Sequence, residues 1–201
     1  MNQSKKKVTR TVIIMVVFAA VVLTVFYFVS NNTDTTEKED TIKTANTEVE
    51  KLIMKDLTTG YPATPKEVMK LYSRFSKVFY DCQYSEEQFV QLVEQYRLLL
   101  DDKLLEQNPL DQYVNDLKNE VADYKEHNRT ISSYIIGNSS SVTYNTVNKE
   151  KYARMNVAYS VKEGTVYSKV YETFVFHKND KAQWKIVGWD ITDPTTIDSE
   201  E

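Results

Sequence analysis

The sequence predicts an α+β domain held to a membrane by one helix. Three observations carry this. An 18-residue run, Val12 to Val29, holds no charge. Between about residues 64 and 126 apolar residues recur at helical spacing. After His127 the period changes to strict alternation, which is the signature of half-buried strands.

The apolar run comes first. Thirteen of its eighteen residues are Val, Ile, Leu or Phe. A helix of that length spans roughly 27 Å, close to the hydrocarbon thickness of a bilayer. The residues favour insertion by several kcal/mol in total, at about 0.3 to 0.6 kcal/mol each. A cleaved signal peptide would want a shorter core and a small residue before the cut. Here Phe28 stands where that small residue is needed for cleavage after Ser30. The expectation is an uncleaved anchor over residues 11–30, with the lipid bilayer as partner through Val12–Val29. Lys5, Lys6, Lys7 and Arg10 precede the run without an acid, while Asp34, Glu37, Glu39 and Asp40 follow it. Basic flanks stay on the cytoplasmic side. Residues 1–10 are therefore expected inside as a basic tail, and the rest of the chain outside.

Charge then narrows the partners. Four of the 25 basic residues and none of the 29 acidic ones fall in the first thirty positions, which leaves the remainder at −8. Nucleic acid needs a basic surface, so it is not expected as a partner. Residues 31–60 are polar, and they read as a flexible tether with a short amphipathic helix around Val49, Leu52 and Ile53.

The domain is expected over 61–192. Thr64 can cap a helix, Pro65 suits its first position and Glu67 completes a capping box. Val68, Leu71, Tyr72, Phe75, Val78 and Phe79 form the buried stripe. Ser85 opens a second helix in the same way, with Phe89, Leu92, Val93, Tyr96, Leu99 and Leu100 on its face. Leu104 and Leu105 indicate a short third helix. Asn108-Pro109 starts a fourth, with Leu110, Tyr113, Val114, Leu117, Val121 and Tyr124 as its stripe.

Five strands follow: Ile131 to Ile136, Val142 to Val147, a run through Ala153 and Val161, Val166 to Phe176 after a turn at Glu163-Gly164, and Gln183 to Ile191. Residues 193–201 read as an acidic tail. Helices followed by an antiparallel meander imply helices packed on one face of a curved sheet.

That order, the long hairpin from Tyr152 to Phe176 and the closing stretch Trp184-Lys185-Ile186-Val187-Gly188-Trp189 resemble the NTF2-like (cystatin-like) fold over about Pro65 to Ile191. The stretch Lys55-Asp56-Leu57, the run Tyr61 to Val68, Phe79-Tyr80 and Asn108-Pro109 resemble an uncharacterised family of membrane-anchored Gram-positive proteins. That family implies no known activity. The fold resemblance implies a cone whose open end holds a ligand or, in some members, a catalytic Asp, His or Tyr. It also implies a precedent for a single span joined to such a domain, in conjugation scaffolds and some cell-wall enzymes.

Chemistry-bearing motifs are sparse. Four glycines, none clustered, make no phosphate loop, and no HExxH or nucleophile elbow occurs. His127 and His177 are fifty residues apart and no ligand spacing is visible, so neither metal nor cofactor is expected. Cys82 is the one cysteine and reads as a small, partly buried residue. Asp190 and His177 lie near strand ends and read as solvated.

One residue departs from its surroundings. Glu172 shares a strand face with Val166, Val170, Phe174 and Phe176. If that face is interior, its carboxyl would titrate high and could serve as an acid or base. A bulge turning it outward, or a pair with Arg154 or Lys169, would make it ordinary. Two functions of different class stay open. The preferred one is a non-catalytic binding or assembly module. It would form a homodimer or dock an envelope protein through the sheet, with Tyr152, Tyr167 and Tyr171 as anchors. The other is a small-molecule enzyme or ligand carrier that uses the cone and Glu172.

Overall fold

The computed structural model describes residues 48–192, which form an α+β domain with a short leading helical turn, four further helices and a five-stranded antiparallel sheet. The basic tail, the apolar run Val12–Val29, the first part of the tether and the acidic tail lie outside the described residues. Among the described residues no helix is long and apolar enough to cross a membrane. Residues 48–53 are helical. Val49, Leu52 and Leu57 are buried with the main core.

Helix α1 (Pro65–Asp81) begins at the capping box read from the sequence. The Thr64 hydroxyl accepts from the Glu67 amide, and the Glu67 carboxylate accepts from the Thr64 amide. Each such cap stabilises a helix by about 1 kcal/mol. α2 (Glu86–Arg97) has the equivalent box between Ser85 and Gln88. α3 (Asp102–Gln107) is capped by Asp101, and α4 (Leu110–Glu126) follows Pro109. α1 packs on the sheet with one face and on α2 and α4 with the other. This explains why its buried residues are so many: Val68, Met69, Leu71, Tyr72, Phe75, Val78 and Phe79 are all in the core.

The sheet runs β1 (Arg129–Ile136), β2 (Thr143–Val147), β3 (Glu150–Glu163), β4 (Val166–Lys178) and β5 (Trp184–Ile191). Its path is β1-β3-β4-β5, and β2 also pairs with β3. β1 faces residues 157–163 of β3, and β2 faces residues 150–154. The two short strands thus lie end to end along one edge of β3. Between them the chain makes a detour at Gly137. A Cβ there would meet Ser141 Oγ at 2.8 Å and the Asn156 carbonyl at 3.2 Å, so a larger residue would have to displace the serine side chain and press on β3.

The hairpin turns match the twist of the strands they join. Asn148 and Lys149 both take positive φ between β2 and β3, while Gly164 supplies the positive φ between β3 and β4. The far edge of β5 is covered by the chain after α2. The Ile186 amide donates to the Leu99 carbonyl, and the Asp101 amide donates to the Ile186 carbonyl, both at 2.8 Å.

Alternation along β3 and β4 divides the sheet into two faces. Ala153, Met155, Val157 and Tyr159 face the helices with Glu172, Phe174 and Phe176. Tyr72 of α1 lies edge-on to Phe174 at 5.0 Å and to Trp189 at 5.9 Å, and Phe174 stacks on Trp189 at 5.4 Å. Aromatic rings therefore fill the space between α1 and the inner face of β4 and β5.

Candidate functional site

Glu172 sits on the interior face, between Phe174 on its own strand and Val157 opposite. It is 4 % exposed. The strand shifts register at Val175/Phe176, beyond Glu172, so no bulge turns it outward. Arg154 and Lys169 occupy positions of opposite parity on the paired strands and face the other side of the sheet. Among the described residues no hydrogen bond or ion pair reaches its carboxyl. Burial is the main cause that pushes its pKa up to about 8, and the charge of Glu120 adds to it.

The groups around it are mostly tyrosines. Tyr72, Tyr124 and Tyr159 all feel the charge of Glu172, and burial raises all three above the ordinary phenol range. The Tyr159 hydroxyl lies 3.0 Å from Ser73 Oγ. On α4, the half-buried Glu120 accepts a hydrogen bond of 2.6 Å from Tyr80, whose ring lies 4.2 Å from that of Tyr124. Burial also raises the Glu120 carboxyl. The interior thus holds two carboxyls and several phenols with raised proton affinities, and at neutral pH Glu172 is chiefly a neutral acid. It can hold or donate a proton. The Tyr72–Phe174–Trp189 stack occupies the space beside it.

Arg129 ties this region to the sheet. It is 4 % exposed, and its guanidinium donates to Glu163 Oε2 at 2.5 Å and to Asp123 Oδ2 at 3.1 Å. Its charge also lies 5.9 Å from the centre of the Tyr124 ring.

Tyr152, Tyr167 and Tyr171 share the outer face, in register with His177, Lys162 and Ala158 in turn. They do not form one cluster. Tyr171 is six positions from His177, the residue opposite Tyr152, or about 20 Å along the strand. Tyr167 lies near the other end of the hairpin and is 63 % exposed, with Lys162 Nζ 5.8 Å from its ring centre. Tyr171 is half-buried, and Tyr152 donates 2.7 Å to Glu150 while its ring lies 5.2 Å from that of His177.

The remaining candidates are dispersed. His177 pairs with the buried Asp101 at 2.9 Å, a contact that sequence reasoning missed because 76 residues separate them. Asp101 also caps α3, so the pair pins the α2–α3 junction to the sheet. His127 lies at the end of α4 against Asp123. Asp190 is exposed on the outer face opposite Thr173. Cys82 is buried, and burial pushes its thiol up to about 11. Among the described residues no group of three or more His, Cys, Asp or Glu side chains is placed to hold a metal ion. Glu120 was also missed. It lies beside Val121 and one turn before Tyr124, at the margin of the apolar stripe, and that position is the sequence signal that could have marked it.

Residues 1–189 match the model of a family described as a domain of unknown function (DUF6715), and the chain belongs to that family. No curated protein matches the chain.

Proposed function

We propose that this chain is a single-pass, membrane-anchored module whose NTF2-like domain lies outside the cytoplasm and binds or assembles with another protein without catalysis. The observation that carries this reading is the filled interior. The Tyr72–Phe174–Trp189 stack fills the space between α1 and the inner face of β4 and β5. The outer face, by contrast, leaves Ile135 at 60 % and Tyr167 at 63 % exposure, with Tyr171 and Tyr152 on the same side. Aromatic side chains on an otherwise polar surface are frequent anchors of protein interfaces. The occupant is a second copy or an envelope protein. Val12–Val29 supplies the anchor, and the basic residues before it set the orientation.

The test is substitution of the three tyrosines by serine in the full chain, with oligomeric state read by light scattering in detergent and partner capture read by cross-linking in cells. Loss of the higher-mass species or of the cross-linked product supports the reading. An unchanged pattern removes it. Protease added to intact protoplasts tests the topology, since the domain should be cut while the basic tail is protected.

A second reading rests on Glu172. A neutral carboxyl inside an aromatic wall is the environment that general acids use. In this reading the domain is a small-molecule enzyme or carrier, and Glu172→Gln would alter ligand binding or turnover. A variant with unaltered binding and turnover would leave no acid–base candidate for it.

A further inference from the structure

A different part of the domain carries a concave site. At the end of the sheet where β2, the start of β3, the end of β4 and the start of β5 meet, a depression of about 330 Å³ opens. Trp184 is 6 % exposed and forms its floor, while Tyr144 is 56 % exposed and forms a wall. The two ring centres are 5.6 Å apart and the planes are inclined by 54°. Lys178 Nζ stands 5.4 Å from the centre of the Trp184 ring, and Lys151 lines the same depression. Neither lysine has an ion-pair partner among the described residues, and no acid lines the site. Tyr152 lines the depression as well, and its hydroxyl donates to the Glu150 carboxylate at 2.7 Å, so one carboxylate stands just behind the lining.

We propose that this depression binds a sugar unit carrying a phosphate group. The chemistry follows from the lining. Two lysines without an ion-pair partner among the described residues, at a concave surface, attract an anion, and a phosphate offers each a charge-assisted hydrogen bond. The aromatic floor and wall suit a body with an apolar face. The rings meet at an angle and leave no parallel slot, so a flat base or aryl ring has no sandwich to enter. Asn145 and Thr146 also line the site. An aryl body would cover their polar groups without pairing them, at a cost of about 1–3 kcal/mol each. A sugar satisfies both requirements, with C–H groups toward the rings and hydroxyls toward Asn145 and Thr146. The volume lies at the lower end of ligand sites and matches one or two sugar rings. This site goes beyond the outer-face reading, although the two share Tyr152. Its test uses Lys151, Lys178 and Tyr144, none of which belongs to the tyrosine trio.

The experiment is a titration of the full chain in detergent micelles, followed by Trp fluorescence and calorimetry, with glucose 1-phosphate, glucose, inorganic phosphate and phenyl phosphate as probes. Glucose 1-phosphate should bind more tightly than the other three. Lys178→Gln and Lys151→Gln should each weaken it about tenfold or more. Tyr144→Ala should weaken it as well, and Lys118→Gln, on α4, should leave it unchanged. Circular dichroism of each variant establishes that the fold is kept, and a variant that loses the fold is replaced by Lys178→Met or Lys151→Met. The proposal is overturned if glucose 1-phosphate binds no better than phosphate or glucose, if phenyl phosphate binds more tightly, or if folded lysine variants bind as the parent does.

Discussion

Tyr80 donates a 2.6 Å hydrogen bond to Glu120, and the charge of that same Glu120 is the second cause that holds Glu172 protonated. Helix α4 and strand β4 are thereby linked through the titration of two carboxyls, although no hydrogen bond joins them among the described residues.

The first consequence concerns pH. An unfolded Glu titrates near 4.5, whereas folded Glu172 titrates near 8. Between those values the folded chain keeps a proton that the unfolded chain releases, so stability falls as pH rises from about 4.5 to 8 and levels off above. Glu120, raised by burial, acts in the same direction. Glu172→Gln should remove most of the slope. It should be near neutral at pH 4.5 and stabilising by on the order of 4 kcal/mol at pH 8. Urea unfolding at the two pH values measures this. A variant with the parent's pH slope would show that Glu172 ionises normally.

Arg129 offers a second test. Its buried guanidinium joins Asp123 of α4 to Glu163 of β3. Replacing one partner of a buried ion pair typically costs about 3–5 kcal/mol, because the remaining charges lose their counter-charge. Arg129→Met should fall in the lower part of that range, since Asp123 is only half-buried. The double change with Glu163→Gln should recover part of the loss, and thermal unfolding of the three variants reads the coupling.

Phe174 has no exposed surface and stands between Tyr72 and Trp189. Phe174→Ala should cost about 3–5 kcal/mol. It should also admit water beside Trp189, seen as a red shift in fluorescence. A loss below about 1 kcal/mol would mean that the stack is not packed as described.

Cys82 should be unreactive while the chain is folded. With the thiol raised from 9 to about 11, its thiolate fraction at pH 8 falls roughly a hundredfold. Labelling with a disulfide reagent should be slow in buffer and fast in denaturant. Equal rates would place the thiol at the surface.

Much of the fold was legible because its signals are local. Thr64 with Glu67, Ser85 with Gln88, and the alternation from Ala153 to Val161 each need only neighbouring residues. The parity of β4 also placed Glu172 beside Phe174 and Phe176. What lay beyond reach was contact across the chain. Asp101 meets His177, Arg129 meets Glu163, and Tyr144 meets Trp184 only after the sheet closes, and no spacing in the sequence encodes those distances. The face shared by Tyr152, Tyr167 and Tyr171 was readable, but their separation along it depends on the register between β3 and β4. The core contribution of Val49, Leu52 and Leu57 was obscured by the polar residues around them.

Because β1 and β2 lie end to end against β3, the detour between them is a place where the backbone could be interrupted without unpairing either strand. A single cut near Ser140 would leave one fragment ending in β1 and another beginning with β2. The second would carry the whole rail of β3 onto which the first must settle. Two polypeptides divided there should therefore reassemble when mixed.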